Sequence, residues 1–285
     1  MGPTCSGKTE LANYLLDKLH CEAINFDAFQ IYIDMNIGTA KLSKDDPHYC
    51  KYHLLDIKSP EESFSVKEYQ ELCRNELDKI LSKNKDVVLV GGTGLYVRAA
   101  LFDYQFEDEE VPVDEDLNNL TNEELHALLT KIDPLESEKI HVNNRKRLLR
   151  AISLIRHANK SKSDILSNQQ HKPIYKDIRF IYISPIREKL YKDIDKRVLF
   201  MLENGLIDEV KSLLNKYKLS LTASQGIGYK EVIDYLQNKI KYEDCVALIQ
   251  KRTRNYAKRQ VTFFKNQFES ETYASIEEAK ERMGL

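Results

Sequence analysis

Apolar positions recur at helical spacing over residues 9–19 and 65–81. The second stretch opens on Ser65 with Glu68 three residues later, a pair whose side chains can close the free N–H groups of a helix start. Between these stretches the pattern shortens. Ala23-Ile-Asn-Phe-Asp27 reads as a short buried strand, and Asp86-Val-Val-Leu-Val-Gly-Gly92 as an apolar strand stopped by glycines. His53-Leu-Leu-Asp-Ile57 is a third, weaker candidate. Strands alternating with helices predict a parallel sheet covered on both faces. Residues 107–116 are acidic and aperiodic, which predicts a loop, and 117–158 are helical in pattern. Asp177-Ile-Arg-Phe-Ile-Tyr-Ile-Ser184 returns to strand chemistry, and the remainder is mostly helical. The expected architecture is an α/β core formed by 1–102 and 173–285, interrupted by a helical insertion domain at 103–172.

The 285 residues are 42% apolar and 31% charged, enough to bury a sizeable core and ordinary for a globular protein. No apolar run reaches 18 residues, so no membrane span is expected. The first residues lack a charged-then-apolar signal pattern, so export is not expected either. The cysteines, Cys5, Cys21, Cys50, Cys73 and Cys245, are odd in number and form no CxxC pair. That fits reduced thiols in a cytoplasm and argues against a zinc site or a disulfide framework. Net charge is −2, but it is unevenly spread. Residues 138–269 hold 28 Lys+Arg against 14 Asp+Glu, whereas the whole chain holds 43 against 45. One basic region in a neutral chain points to a polyanionic partner held at one place.

Gly2-Pro3-Thr4-Cys5-Ser6-Gly7-Lys8-Thr9 fits G-x-x-x-x-G-K-[ST]. In such a loop successive backbone N–H groups converge on phosphate oxygens, Lys8 adds a point charge, and Thr9 offers its hydroxyl to Mg²⁺. The helix that starts behind the loop aims its positive end at the same anion. A loop of this kind ordinarily follows a buried strand, and the residues before Gly2 supply none. A chain lacking that strand would lose the element that positions the loop. An ATPase also needs a second carboxylate at a strand end. The best apolar strand ends in Gly91-Gly92-Thr93, without an acid. Asp27 does end a strand, where α/β sites form, and it can serve as a metal carboxylate or as a base on a second substrate.

Seven further blocks bear on that choice. Asp27-Ala28-Phe29-Gln30-Ile-Tyr32 with Asn36-Ile-Gly38-Thr39-Ala40-Lys41, then His53-Leu-Leu-Asp56, Gly91-Gly-Thr93-Gly-Leu-Tyr96 and Arg147-Leu-Leu-Arg150-Ala151 follow in order. Ile227-Gly-Tyr229-Lys-Glu231 and Thr253-Arg-Asn-Tyr256-Ala-Lys-Arg259-Gln260 complete them. Together they resemble the signature of the tRNA dimethylallyltransferases (tRNA isopentenyltransferases), in the same order and over nearly the whole chain. Ala28 stands where the family usually has Ser, Phe263 where Trp is common, and the acidic stretch after Phe106 lacks an Arg often found there.

The resemblance implies a P-loop NTPase-like fold and a defined reaction. A dimethylallyl group passes from dimethylallyl diphosphate to N6 of adenosine 37, beside the anticodon of a tRNA. Lys8, Thr9 and the residues from Gly2 to Gly7 would hold the diphosphate with Mg²⁺, and Arg197 would add a contact. Asp27 would take the proton from the weakly nucleophilic N6 amine, with Thr93 near it. The target base must leave the stacked anticodon loop to reach such a site. The segments matching Asp27, Ala28, Phe29 and Gln30, with Thr93, then Lys146, Arg147, Leu148, Leu149 and Arg150, then Gln225, Gly226, Ile227, Gly228, Tyr229 and Lys230 would touch the tRNA. Gln30 is the candidate reader of the base edge; Tyr32 and Tyr229 are candidates for stacking, although aromatics at these spacings more often belong to a core. Arg252, Tyr256 and Arg259 fall on one helical face and, with the cluster at 145–150, are candidates for tracking phosphates. The tail after Gln267 has no Cys or His, which fits a bacterial-type enzyme. A monomer in the cytoplasm, touching no membrane, is expected. The competing readings are a P-loop small-molecule or nucleotide kinase, which leaves the distal basic clusters without a role, and a nucleotide switch that binds RNA.

Overall fold

A computed structural model describes residues 1–106, 114–158 and 172–284. These divide into two compact units, one built from Met1–Leu101 with Tyr175–Leu285 and the other from Phe102–Ile174.

In the larger unit, α1 (Lys8–Lys18) leads to β1 (Cys21–Asn25). After a long loop come β2 (Tyr52–His53), α2 (Val66–Leu81), β3 (Asp86–Val90) and α3 (Gly94–Leu101). The three strands form a parallel sheet in the order β2-β1-β3, with Cys21 opposite Asp86 and Asn25 opposite Val90. Of the expected strand at 53–57 only His53 lies in β2, together with its predecessor Tyr52. Leu54 and Asp56 take positive φ values of 60° and 52°, which turn the chain out of extended backbone. Helix α2 begins as its sequence dictates: Ser65 Oγ accepts from Glu68 N–H, and Glu68 Oε2 accepts from Ser65 N–H.

The chain re-enters this unit through β4 (Ile181–Ile183). Four helices follow: α8 (Arg187–Glu203), α9 (Leu206–Lys216), α10 (Tyr229–Leu236) and the long α11 (Tyr242–Gln267). Strand β5 (Glu271–Tyr273) and α12 (Ile276–Met283) end it. β5 pairs in parallel with β4, an element the sequence does not announce because Glu-Thr-Tyr carries no apolar run. Beside β4, Met1 takes the place of a strand residue: its amino group donates to Ile181 O at 2.6 Å, and Ile183 N–H donates to Met1 O at 3.0 Å. Gly2 therefore leaves directly from a sheet position. Leu11 and Leu15 of α1 pack on Ile183, Tyr273 and Ile276, while Ala12 and Leu16 pack on Cys21, Ala23 and Val90. One helix thus seals both sheets with two faces.

The smaller unit holds α4 (Glu115–Asn118), α5 (Asn122–Ile132), α6 (Pro134–Ser137) and α7 (Arg145–Ala158). Its core is Leu117, Leu125, Leu129, Ile140, Leu148 and Ile152, with Leu149 packed against it. Residues 107–113 of the expected acidic loop lie outside the described residues. The rest of it is partly helical, and Asp114 and Asp116 both pair with Arg156 of α7 at 2.9 Å. Among the described residues no helix is long and apolar enough to cross a membrane.

Candidate active site

The phosphate loop owes its shape to two left-handed residues, Cys5 at φ 60° and Gly7 at φ 78°. Gly7 is the N-cap of α1, so the loop delivers the chain onto the helix start. A Cβ at Gly7 would overlap Ile276, and its φ favours glycine as well. Lys8 Nζ lies across the loop and donates to Pro3 O at 3.1 Å. Burial lowers the Lys8 amine to about 8; Arg197 also lowers it, and the Asp27 carboxylate opposes both. Arg197 on α8 donates to Thr4 Oγ1 at 3.1 Å and approaches Cys5 Sγ at 3.8 Å.

Asp27 follows β1 and is fixed at both ends. Its N–H donates to Asn25 Oδ1 at 3.0 Å, and its own Oδ1 accepts from Phe29 N–H at 3.0 Å. Oδ2 has no hydrogen-bond partner among the described residues. Thr93, on the turn after β3, accepts from Ala28 N–H at 3.2 Å through Oγ1. It thereby ties that turn to the Asp27 turn; Thr93 is not itself in the cavity wall.

Thr4, Lys8, Thr9, Asp27 and Arg197 line one cavity of about 330 Å³. Phe29 and Gln30 line it too, as do Gln225, Ile227 and Tyr229. Gln30 Nε2 donates to Thr39 O and Ala40 O at 3.1 and 3.4 Å, which leaves its Oε1 with no partner among the described residues. Gly2, Pro3, Cys5, Ser6, Gly7, Ala28, Gly226, Gly228 and Lys230 support these segments without lining the cavity.

Several sequence expectations need correction. Tyr32 is fully buried in the core and cannot stack on a base. Tyr229 lies in the cavity wall but is 1% exposed, its ring set against Gly38. In the smaller unit the Leu148 side chain is wholly buried and Leu149 packs on the same core, so within the 146–150 segment only Lys146, Arg147 and Arg150 are exposed. Arg145 is spent on Leu120 O at 2.6 Å, Asn118 O at 2.8 Å and Leu117 O at 3.2 Å. On α11, Arg252 pairs with buried Glu231 of α10, while Tyr256 and Arg259 turn to the cavity.

The role of Gln260 was not visible in the sequence. Its Oε1 accepts from Thr4 N–H and its Nε2 donates to Gly92 O, both at 2.9 Å. One buried amide thus joins the phosphate loop to the turn that carries Thr93, and through Thr93 to the Asp27 turn. It stands at the end of a basic motif, and neither of its bonds leaves a local sign in the sequence. Tyr256 Oη reaches Gly92 O at 3.4 Å, and burial pushes its phenol up to about 12, so it remains a neutral donor.

A sequence model of the family described as IPP transferase matches residues 30–267. The chain belongs to that family. A tRNA dimethylallyltransferase of Bacillus cereus is 39% identical over 275 residues, covering 94% of this chain and 86% of that protein. A crystal structure of a tRNA delta(2)-isopentenylpyrophosphate transferase from Staphylococcus epidermidis is 36% identical, with a TM-score of 0.73 over 100% of this chain and 96% of its own. A eukaryotic dimethylallyltransferase acting on tRNA superposes with a TM-score of 0.82 at 26% identity, over 99% of this chain and 76% of its own. The fold is accordingly the P-loop-like α/β fold of the tRNA prenyltransferases.

Proposed function

We propose that this chain, an enzyme of the tRNA dimethylallyltransferase type, moves a dimethylallyl group from dimethylallyl diphosphate to the N6 amine of adenosine 37 beside the anticodon. The N6–C bond forms, the C–O bond to the diphosphate breaks, and the amine proton passes to Asp27. The observation that carries this reading is the shared cavity: the anion-binding groups Lys8, Thr4 and Arg197 face the same space as Asp27. Adenine N6 is a poor nucleophile because its lone pair is delocalised, so an acceptor beside it is needed as the bond forms. The free Oδ2 of Asp27 supplies that acceptor. Gln30 Oε1 offers the acceptor that an adenine edge requires. Apolar Ile194, Val198 and Met201 in the cavity wall suit the prenyl chain and keep water from the reacting carbon.

The donor set fits Mg²⁺. Among the described residues no cluster of three His, Cys, Asp or Glu side chains forms a protein cage. Thr9 instead lies in the cavity wall with one hydroxyl, and Mg²⁺ characteristically takes few protein oxygens, completed by phosphate and water. Thr9 would hold it, and when bound it neutralises charge on the departing diphosphate. Exposed Lys146, Arg147 and Arg150 would contact the tRNA backbone. We infer a monomer in the cytoplasm, where its free thiols would stay reduced.

The test is incubation with an anticodon stem-loop carrying adenosine 37 and with dimethylallyl diphosphate. We expect the RNA to gain the mass of one dimethylallyl group, with none gained when that adenosine is replaced by guanosine. A kinase would leave the RNA mass unchanged and consume ATP.

A further inference from the structure

Helix α9 contributes nothing to the cavity wall, yet one of its side chains reaches two segments that do. Glu209 accepts four hydrogen bonds. Its Oε2 takes Asn36 N–H at 3.0 Å and Ile37 N–H at 2.7 Å, and its Oε1 takes Gly38 N–H at 3.1 Å and the Tyr229 hydroxyl at 2.6 Å. Three successive backbone N–H groups converging on one carboxylate form a nest of the kind that binds anions, here filled by the protein's own acid. Bonds to an ionised acceptor are about twice as strong as neutral ones, so this is a firm attachment.

What hangs from it is the wall for the second substrate. Gly38, Thr39 and Ala40 follow directly in the chain and line the cavity. The carbonyls of Thr39 and Ala40 receive the Gln30 amide, so the position of Glu209 fixes which way Gln30 Oε1 faces. On the other side, Tyr229 opens α10 and packs its ring on Gly38 so closely that any Cβ there would overlap it. The far end of the segment is fixed separately, by Lys41 Nζ on Asp56 at 2.6 Å. The middle of the segment rests on Glu209.

We infer that Glu209 is a positioning residue for recognition of the acceptor adenosine: through residues 36–40 and Tyr229 it sets the wall that carries Gln30, without touching either substrate. This rests on the function proposed above. The diphosphate side is held by other groups: Lys8 opens α1, Arg197 lies on α8, and Thr4 in the loop is held by Gln260 and Arg197.

Steady-state kinetics of Glu209→Ala and Tyr229→Phe test this, with anticodon stem-loop RNA and dimethylallyl diphosphate varied in turn. We expect Glu209→Ala to raise KM for the RNA about tenfold or more, as the loss of charge-assisted bonds implies. KM for the diphosphate and kcat at saturating RNA should stay within about twofold of wild type. Tyr229→Phe, which keeps the ring, should raise the RNA KM less, and should add nothing in the Glu209→Ala background. An unchanged RNA KM in an active Glu209→Ala protein overturns the inference, as does a fall in kcat with both KM values unchanged, the mark of a merely smaller folded fraction. If Glu209→Ala does not fold, Tyr229→Phe decides alone, and an unchanged RNA KM there overturns the inference. A wild-type protein that transfers nothing to RNA defeats the functional reading itself, a result separable from the others.

Discussion

Lys8 sits where its own charge is costly. Burial and Arg197 lower its amine to about 8, so near neutral pH the free protein holds a lysine not far from releasing its proton. A bound diphosphate favours the charged form and raises that value. Affinity for dimethylallyl diphosphate should therefore be full below pH 8 and fall as pH rises through about 8, because binding must then take up a proton. Isothermal titration across pH 7 to 9.5 checks this, and Lys8→Met should bind weakly with the inflection gone. Gln260 makes a second case at this scale. Truncation to Ala leaves the N–H of Thr4 without its acceptor and the carbonyl of Gly92 with only the long bond from Tyr256. The expected cost is about 1–3 kcal/mol in urea unfolding, with a lower kcat/KM for the diphosphate.

Among the elements, α7 separates structure from recognition within one motif. Leu148 is wholly buried, whereas Arg150 two residues later is exposed. Leu148→Ala should destabilise the protein by about 2–5 kcal/mol. Arg150→Ala should change stability by less than about 0.5 kcal/mol while weakening RNA binding. Urea unfolding beside an RNA binding titration distinguishes the two. The strand–helix alternation, the capping box at Ser65 and the phosphate loop were legible in the sequence because each is a local pattern. β5 was not, since three residues without apolar character pair only because β4 is already in place. Nor were Gln260 and Glu209, because both act on backbone groups far away in the chain, and a hydrogen bond to a remote N–H leaves no periodic trace. Motif order still placed Asp27, Gln30 and Tyr229 in the cavity wall. Tyr32, for which stacking and core were both open in the sequence, is a core residue.

For the whole molecule, the charge asymmetry carries the expectation. Acidic and basic residues nearly balance, but the basic excess in 138–269 remains even after Arg145, Arg156, Arg252 and Arg254 have been taken by protein partners. A polyanion bound by the remaining cations releases counterions, so log affinity should fall linearly with log salt concentration. Replacing Lys146, Arg147 and Arg150 together by Ala should reduce that slope by about 2–3 while leaving the diphosphate KM unchanged. The central claim is narrower: the glycine-lysine loop holds a departing diphosphate while Asp27 takes the proton of an exocyclic amine. Single-turnover transfer by Asp27→Asn, started with enzyme saturated in both substrates, tests it most directly. The account predicts transfer slowed by about 10²–10⁴-fold, with RNA and diphosphate affinities within about twofold of wild type; transfer at the wild-type rate would contradict it.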